Sequence, residues 1–357
     1  MQKISTFLKR TGKILLYMLL VIGLLVGAFL IWLRIEPEAV TECEEGYRLF
    51  SHADGSDCVA EDASRILAIS PATSQFLVAI GHPLAMMTDT TDRFTAADIP
   101  GLYDRLREVN EGVLDLGDVR GGAAANLELL LEIQPDVIVT EWPVGDLAKP
   151  AEAIASVIVY KTADSWKSHM RTSSELIGKR DAADALIAEY EARVQTLREQ
   201  FDDPSQITIS TVRLYHDRTA VNLAASFGGQ IITEVGFSLP EAQVQLAAES
   251  PEEIELVLSD ERIDVLDGDI LLLYGGFPND TLVNNLDTSS GALVQAFQNE
   301  PIYQFLNAVE TGDVHEVGVH WSVTGIYSAH AVLDDLFRIV AGVDPEEVSP
   351  NPLLLSN

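Results

Sequence analysis

The chain has 357 residues and a formal charge of −32. That length allows two domains, and 47% hydrophobic residues suffice for packed cores. The charge is uneven: residues 1–34 hold five basic residues and no acids, leaving 18 basic against 55 acidic residues in the remainder. So acidic a surface argues against nucleic-acid binding, which needs Lys and Arg against phosphates. It reads as a solvated surface, and the scarcity of Lys also fits a high-salt habitat.

Residues 14–33 are uncharged and mostly apolar, the length of a bilayer crossing. Their basic flank (Lys3, Lys9, Arg10, Lys13) places the N-terminus in the cytoplasm and the rest outside. A cleaved signal would have a shorter apolar core and a small-residue site after it; Arg34-Ile35-Glu36-Pro37 follows instead, so the segment is expected to stay as an anchor. No Cys ends the apolar run to accept a lipid. Cys43 and Cys58, the two cysteines of the chain, fall in the first exported residues and are expected to form a disulfide there.

Beyond them, strands and helices alternate. Arg65–Ile69 reads as a buried strand, followed after Ser70-Pro71 by a helix closed at Gly81. Strands are expected at 84–88, 113–116, 137–140 and 156–160, with helices at 127–133 and 150–155. Between 89 and 112 a loop with a short helix is expected. Such alternation implies a mainly parallel sheet covered on both faces.

Residues 172–201 then carry the longest periodic stripe of the soluble part. Leu176, Ala183, Ile187, Tyr190, Val194, Leu197 and Phe201 recur at helical steps, Thr172 with Glu175 suggests a capping box, and Asp202-Asp203-Pro204 stops the run. One continuous helix of roughly 45 Å is expected. Afterwards the alternation restarts, with strands at 207–214, 269–274 and 314–317. Helices are expected at 225–235, 251–258, 301–309 and 326–340.

These segments resemble a family. RILAISPATSQFLVAIG and NLELLLEIQPDVIVT in the first half look like the N-lobe of helical-backbone substrate-binding proteins of ABC transporters. In the second half ASFGGQIITEVGF, SPEEIELV, LNAVETGDVHEVGVHW and AVLDDLFRIV follow the same order, and CEEGYRLFSHADGSDCVAEDASRILAIS resembles the start of the iron-siderophore subgroup. The resemblance covers about residues 41–342. It implies two lobes on a stiff helix, with ligand in the cleft between them and little closure.

The expected architecture is α/β: two lobes with mainly parallel sheets joined by one long α-helix, preceded by an N-terminal transmembrane helix. Residues 1–38 form the cytoplasmic stub and anchor, 39–168 the N-terminal lobe, and 169–203 the linking helix. Residues 204–342 form the C-terminal lobe and 343–357 a loose tail.

Ligands of open α/β sheets bind at the carboxyl ends of the strands. That rule selects Arg93, Trp142, Arg213, Tyr215, His216, Tyr274 and Trp321 as ligand-binding candidates, since Arg pairs with anionic oxygens while Trp and Tyr stack on rings and apolar arms. Blander roles stand beside these: a surface salt bridge for Arg213, rim packing for Tyr274. The seven histidines show no metal-site spacing, so no direct metal site is expected. The Tyr215-His216 pair is how a haem reading would work.

The resemblance also assigns Glu128 and Glu252 to docking on permease arginines, although Glu in the first turn of a helix is favoured by the dipole anyway. Gln75 stands where relatives often carry Glu; it is expected to leave that surface less acidic and to bear on which permease is recognised. No nucleophile elbow, Walker loop or dinucleotide fingerprint follows a strand, so no catalysis is expected. The function implied is a membrane-tethered, monomeric solute-binding protein that holds no permanent cofactor and delivers a ferric siderophore to an ABC permease. Haem or cobalamin binding on the same fold, or a sensor ectodomain that has lost transport, are the alternatives.

Overall fold

The computed structural model describes residues 41–52, 55–69, 71–84, 86–87, 99–109, 130–140, 151–160, 165–259, 262–275 and 290–354. The apolar run 14–33 and the strand expected at 113–116 lie outside them. Among the described residues no helix is long and apolar enough to cross a membrane.

The first described element was not foreseen as strands. Tyr47–His52 (β1) and Gly55–Ala60 (β2) form an antiparallel hairpin, Tyr47 opposite Ala60. The Cys43–Cys58 disulfide ties its approach segment to β2, with Cα atoms 5.6 Å apart. In the first lobe, Ile66–Ala68 (β3), Met86–Met87 (β4), Val137–Thr140 (β5) and Ser156–Val159 (β6) make a parallel sheet in the order β4-β3-β5-β6. Pro71–Ala79 (α1) and Leu102–Val109 (α2) belong to the same lobe.

The long helix is broken, which corrects the single-helix expectation. Trp166–Glu175 (α3) ends and Arg180–Arg198 (α4) begins after a turn. Gly178 takes φ +65°, where a Cβ would be strained, and closes α3 in the manner of a glycine C-cap. Lys179 N–H reaches back to the Ser174 carbonyl at 2.9 Å and Gly178 N–H to that of Glu175 at 3.1 Å. Thr172 is therefore no cap; its hydroxyl donates to the Ser168 carbonyl inside α3, and Ser165 is the N-cap. The apolar stripe survives the break, because Leu176, Ala183, Ile187, Tyr190 and Leu197 are all buried.

The second lobe holds a mixed sheet rather than a mainly parallel one. Ile209–Leu214 (β7), Thr219–Asn222 (β8), Glu255–Val257 (β9), Ile270–Gly275 (β10) and Val314–Glu316 (β11) run in the order β11-β10-β7-β8-β9. The pairs β10·β7 and β10·β11 are parallel, whereas β7·β8 and β8·β9 are antiparallel. The helix expected at 251–258 is a turn and then β9. Phe227–Val235 (α5), Glu241–Glu249 (α6), Ser290–Asn299 (α7), Asn307–Thr311 (α8) and Ile326–Ile339 (α9) complete the lobe.

Strand alternation divides each sheet between two cores. Ile66, Ala68, Val137, Val139 and Ile158 face a central cluster, while Leu67, Ile138 and Val157 face a smaller outer one. In the second sheet Ile209, Leu272 and Tyr274 reach the same central cluster, and Val212, Leu214, Leu271 and Leu273 face their own outer layer. The central cluster takes in Phe76 of α1, Trp166 of α3, Tyr190 of α4, Ile231 of α5 and Phe337 of α9. Both sheets therefore bury one face on a shared layer of helices, and that layer joins the lobes more than any single rod.

The tail is also a correction. Pro345–Val348 (α10) is helical and Asn351 is buried. Arg193 of α4 donates Nε–H to the Ser349 carbonyl at 3.0 Å and pairs through Nη2 with Asp334 of α9 at 2.5 Å. Asn351 Nδ2 donates to the other Asp334 oxygen at 3.3 Å. Up to Leu354 the segment is anchored, because a buried Arg needs every donor met.

Candidate functional site

At the carboxyl ends of β7 and β10, register places Tyr274 opposite Arg213. The chain then turns tightly through Tyr215–Arg218, closed by Tyr215 N–H to the Arg218 carbonyl at 2.9 Å. Four basic or aromatic side chains, Arg213, Tyr215, His216 and Arg218, thus leave one strand end.

Tyr215 lies at the centre. Its ring centroid is 4.6 Å from the Arg213 guanidinium and 3.8 Å from that of Arg218, both within cation–π range. Its hydroxyl donates to Glu255 of β9 at 2.8 Å. Burial, and secondarily the Glu255 carboxylate, hold the phenol above its ordinary range against the opposing pull of Arg213. That works against the phenolate a haem-iron ligand would need. Arg213 meets Glu255 at 3.4 Å and Arg218 meets Asp217 at 2.9 Å. His216 is exposed beside this cluster, 3.9 Å from Asp217.

Two candidates sit elsewhere than expected. Tyr274 is fully buried and its hydroxyl accepts from Asn222 Nδ2 at 2.7 Å; burial raises its phenol strongly. Trp321 is wholly enclosed, packs on Gly228 of α5, and donates its indole N–H to Asp335 at 2.8 Å, where His320 Nε2 also meets that carboxylate at 2.7 Å. Both are buried core residues, where the strand-end rule led one to expect side chains open to the cleft. A residue just past a strand can turn inward as easily as outward, and sequence does not show which.

Arg93, Trp142 and Glu128 lie outside the described residues. Glu252 is exposed in the turn before β9, not in the first turn of a helix. Gln75 is not a surface residue: it is completely buried in α1 and bonded to α9. Sequence reasoning missed Glu255, because the run around it was read as a helix; the alternation Glu255-Leu256-Val257 was the available signal. Arg218 was legible as one more basic residue in an acidic chain. Among the described residues no three His, Cys, Asp or Glu side chains gather to hold a metal ion. A groove of about 960 Å³ between α2, α4, α9 and the tail shares no residue with the Arg213 cluster, and charges of both signs (Asp104, Arg105, Glu108, Glu189) line it.

The arrangement can bind but offers no paired acid and base for catalysis. Residues 66–318 match the periplasmic binding protein family, and the chain belongs to it. It is a substrate-binding protein, not an enzyme. Among curated proteins it is 27% identical over 297 residues to a probable siderophore-binding lipoprotein of Bacillus subtilis, covering 81% of this chain and 86% of the relative. It is 26% identical over 285 residues to the achromobactin-binding periplasmic protein of Dickeya dadantii, covering 77% and 86%. Among solved structures, Staphylococcus aureus SirA complexed with staphyloferrin B aligns with TM-score 0.69 at 18% identity, covering 82% of this chain and 98% of that one. Bacillus subtilis FeuA complexed with ferri-bacillibactin aligns with TM-score 0.66 at 15% identity, covering 83% and 98%. The two structures establish the two-lobed α/β fold.

Proposed function

We propose that the chain is an extracytoplasmic solute-binding protein that captures a ferric siderophore between its lobes and delivers it to an ABC importer permease. One observation carries this: the match to relatives named for siderophore binding runs through both lobes, over 81% of the chain for the Bacillus protein. The apolar run 14–33 with its basic flank supports tethering by a single N-terminal span. Arg213, with Tyr215 and His216 beside it, is the described part of the ligand site, joined by Arg93 and Trp142 from the first lobe. Glu128 and Glu252 dock on permease arginines, and the protein works as a monomer.

The test is a tryptophan-fluorescence titration of the full-length chain with ferric hydroxamate, ferric catecholate, ferric citrate, haem and cobalamin. Micromolar or tighter binding of a ferric chelate alone is the expected result. Binding of haem or cobalamin alone would replace the siderophore reading, and no response to any of the five would end it and return the sensor alternative.

A further inference from the structure

Glu255 is unlike the other acids of this acidic chain. Its backbone is fixed by the sheet: it pairs in register with Asn222, and the neighbouring Leu223 N–H donates to the Ile254 carbonyl at 3.0 Å. Its side chain is 21% exposed, so its carboxylate is shielded but reachable. The Tyr215 hydroxyl donates to Oε1 at 2.8 Å and also lies 3.1 Å from Oε2, whereas Arg213 Nη1 is 3.4 Å from Oε2, at the outer edge of hydrogen bonding. Glu255 is therefore held by the phenol and only loosely engaged with the guanidinium.

A carboxylate poised this way occupies the position an anionic ligand oxygen would take at Arg213. It repels other anions, and it yields to one able to approach the guanidinium more closely, since bidentate pairing with Arg outweighs a contact at the edge of hydrogen bonding such as the one Glu255 makes. We propose that Glu255 is a specificity-determining residue: its carboxylate competes with the ligand for Arg213 and sets the charge a chelate must carry to displace it. This rests on the solute-binding reading above. Removing the charge while keeping the acceptor for Tyr215 should relax selection in one direction only. Anionic chelates gain, and cationic ones do not.

The experiment compares wild type with Glu255→Gln in full-length protein, titrated with ferric citrate, an anionic chelate, and with ferrioxamine B, which carries positive charge when loaded. The variant is expected to tighten ferric citrate by about three- to tenfold and to leave ferrioxamine B unchanged or weaker. Should the Gln variant not fold, Glu255→Ser, which removes the charge together with the Tyr215 acceptor, should still shift affinity toward ferric citrate relative to ferrioxamine B. Equal affinities in variant and wild type overturn the inference while the solute-binding reading stands. So does a loss of both chelates together, which would make Glu255 a structural clamp. Failure of wild type and variants alike to bind either chelate overturns the inference, and the five-ligand titration above then decides the solute-binding reading separately.

Discussion

Gln75 and Ser328 bind each other twice, once in each direction, across the two halves of the molecule. Gln75 Nε2 donates to Ser328 Oγ at 3.1 Å and Ser328 N–H donates to Gln75 Oε1 at 3.0 Å. A third bond runs from Nε2 to the Thr324 carbonyl at 3.1 Å. Both residues are fully buried, so none of these groups can fall back on water. The amide fixes α1 of the first lobe against the start of α9 of the second, and a Glu here would set a carboxylate against the Thr324 carbonyl.

Gly325 is the residue this latch depends on. Its φ is +155°, and a Cβ at this position would collide with the Gln75 amide, so there is no room for a side chain. Gly325→Ala should cost about 3 kcal/mol in chemical denaturation. Gln75→Ala in the same chain should recover the steric part but not the backbone strain, so the two effects will be non-additive. Strict additivity would show that the contact is not shared.

His330 of α9 predicts an acid sensitivity. Arg193 Nη1 donates to its Nδ1 at 3.0 Å, and burial, reinforced by the Arg193 charge, lowers its pKa from 6.5 to about 3. The folded state therefore holds His330 neutral where the unfolded chain protonates it. Its contribution is complete above 6.5 and is lost as pH falls toward about 3. Within that window the slope is up to about 1.4 kcal/mol per pH unit. Denaturation of wild type and His330→Asn at pH 7 and pH 4.5 checks it. The gap between them should shrink on acidification.

Arg213 and Trp321 separate binding from folding. Arg213→Ala should weaken an anionic ferric chelate by about tenfold or more while leaving unfolding little changed. Trp321→Phe should do the reverse. It leaves the Asp335 carboxylate short of one donor, costs about 1–3 kcal/mol, and leaves affinity within about twofold. Titration and denaturation of both variants decide between the two roles.

Much of the fold was legible because strand runs such as Val137–Thr140 and Ile270–Gly275 are short, apolar and bounded by turn residues. The break at Gly178 was also written in the chain, but an unbroken stripe from Leu176 to Leu197 spoke louder than one glycine. β9 was misread since Pro251-Glu252-Glu253 imitates a helix start, while its true partner, Asn222, lies 33 residues earlier. The site was only half legible for a similar reason. Sequence marks which residues leave a strand end, but the inward turn of Trp321 and the reach of Tyr215 to Glu255 are set by packing between distant elements. Gln75 is the plainest case, because a polar residue in an apolar helix reads as surface until its partners, about 250 residues away, are known.

Docking can be tested apart from capture. Glu252 is exposed in a turn and therefore available to a partner's basic residue. Replacing Glu128 and Glu252 together by Arg should abolish uptake of the bound chelate in cells and leave its affinity in vitro unchanged, since like charges facing each other at such a rim cost association. Unchanged uptake would sink the docking assignment.

The spacing of the lobes can be probed through α4. Leu186 sits in its interior, partly buried, and lines the groove that shares no residue with the Arg213 cluster. Pro there removes a backbone donor and crowds the preceding turn, costing about 3 kcal/mol or more. The kink would displace Tyr190, whose hydroxyl donates to Glu234 of α5 at 2.9 Å, and Arg193, which holds α9 and the tail. Because the lobes meet through this helical layer, Leu186→Pro should lower both stability and chelate affinity, whereas Leu186→Ala should lower stability alone, and by less. Normal affinity in a folded Leu186→Pro protein would mean that α4 does not set the spacing of the lobes.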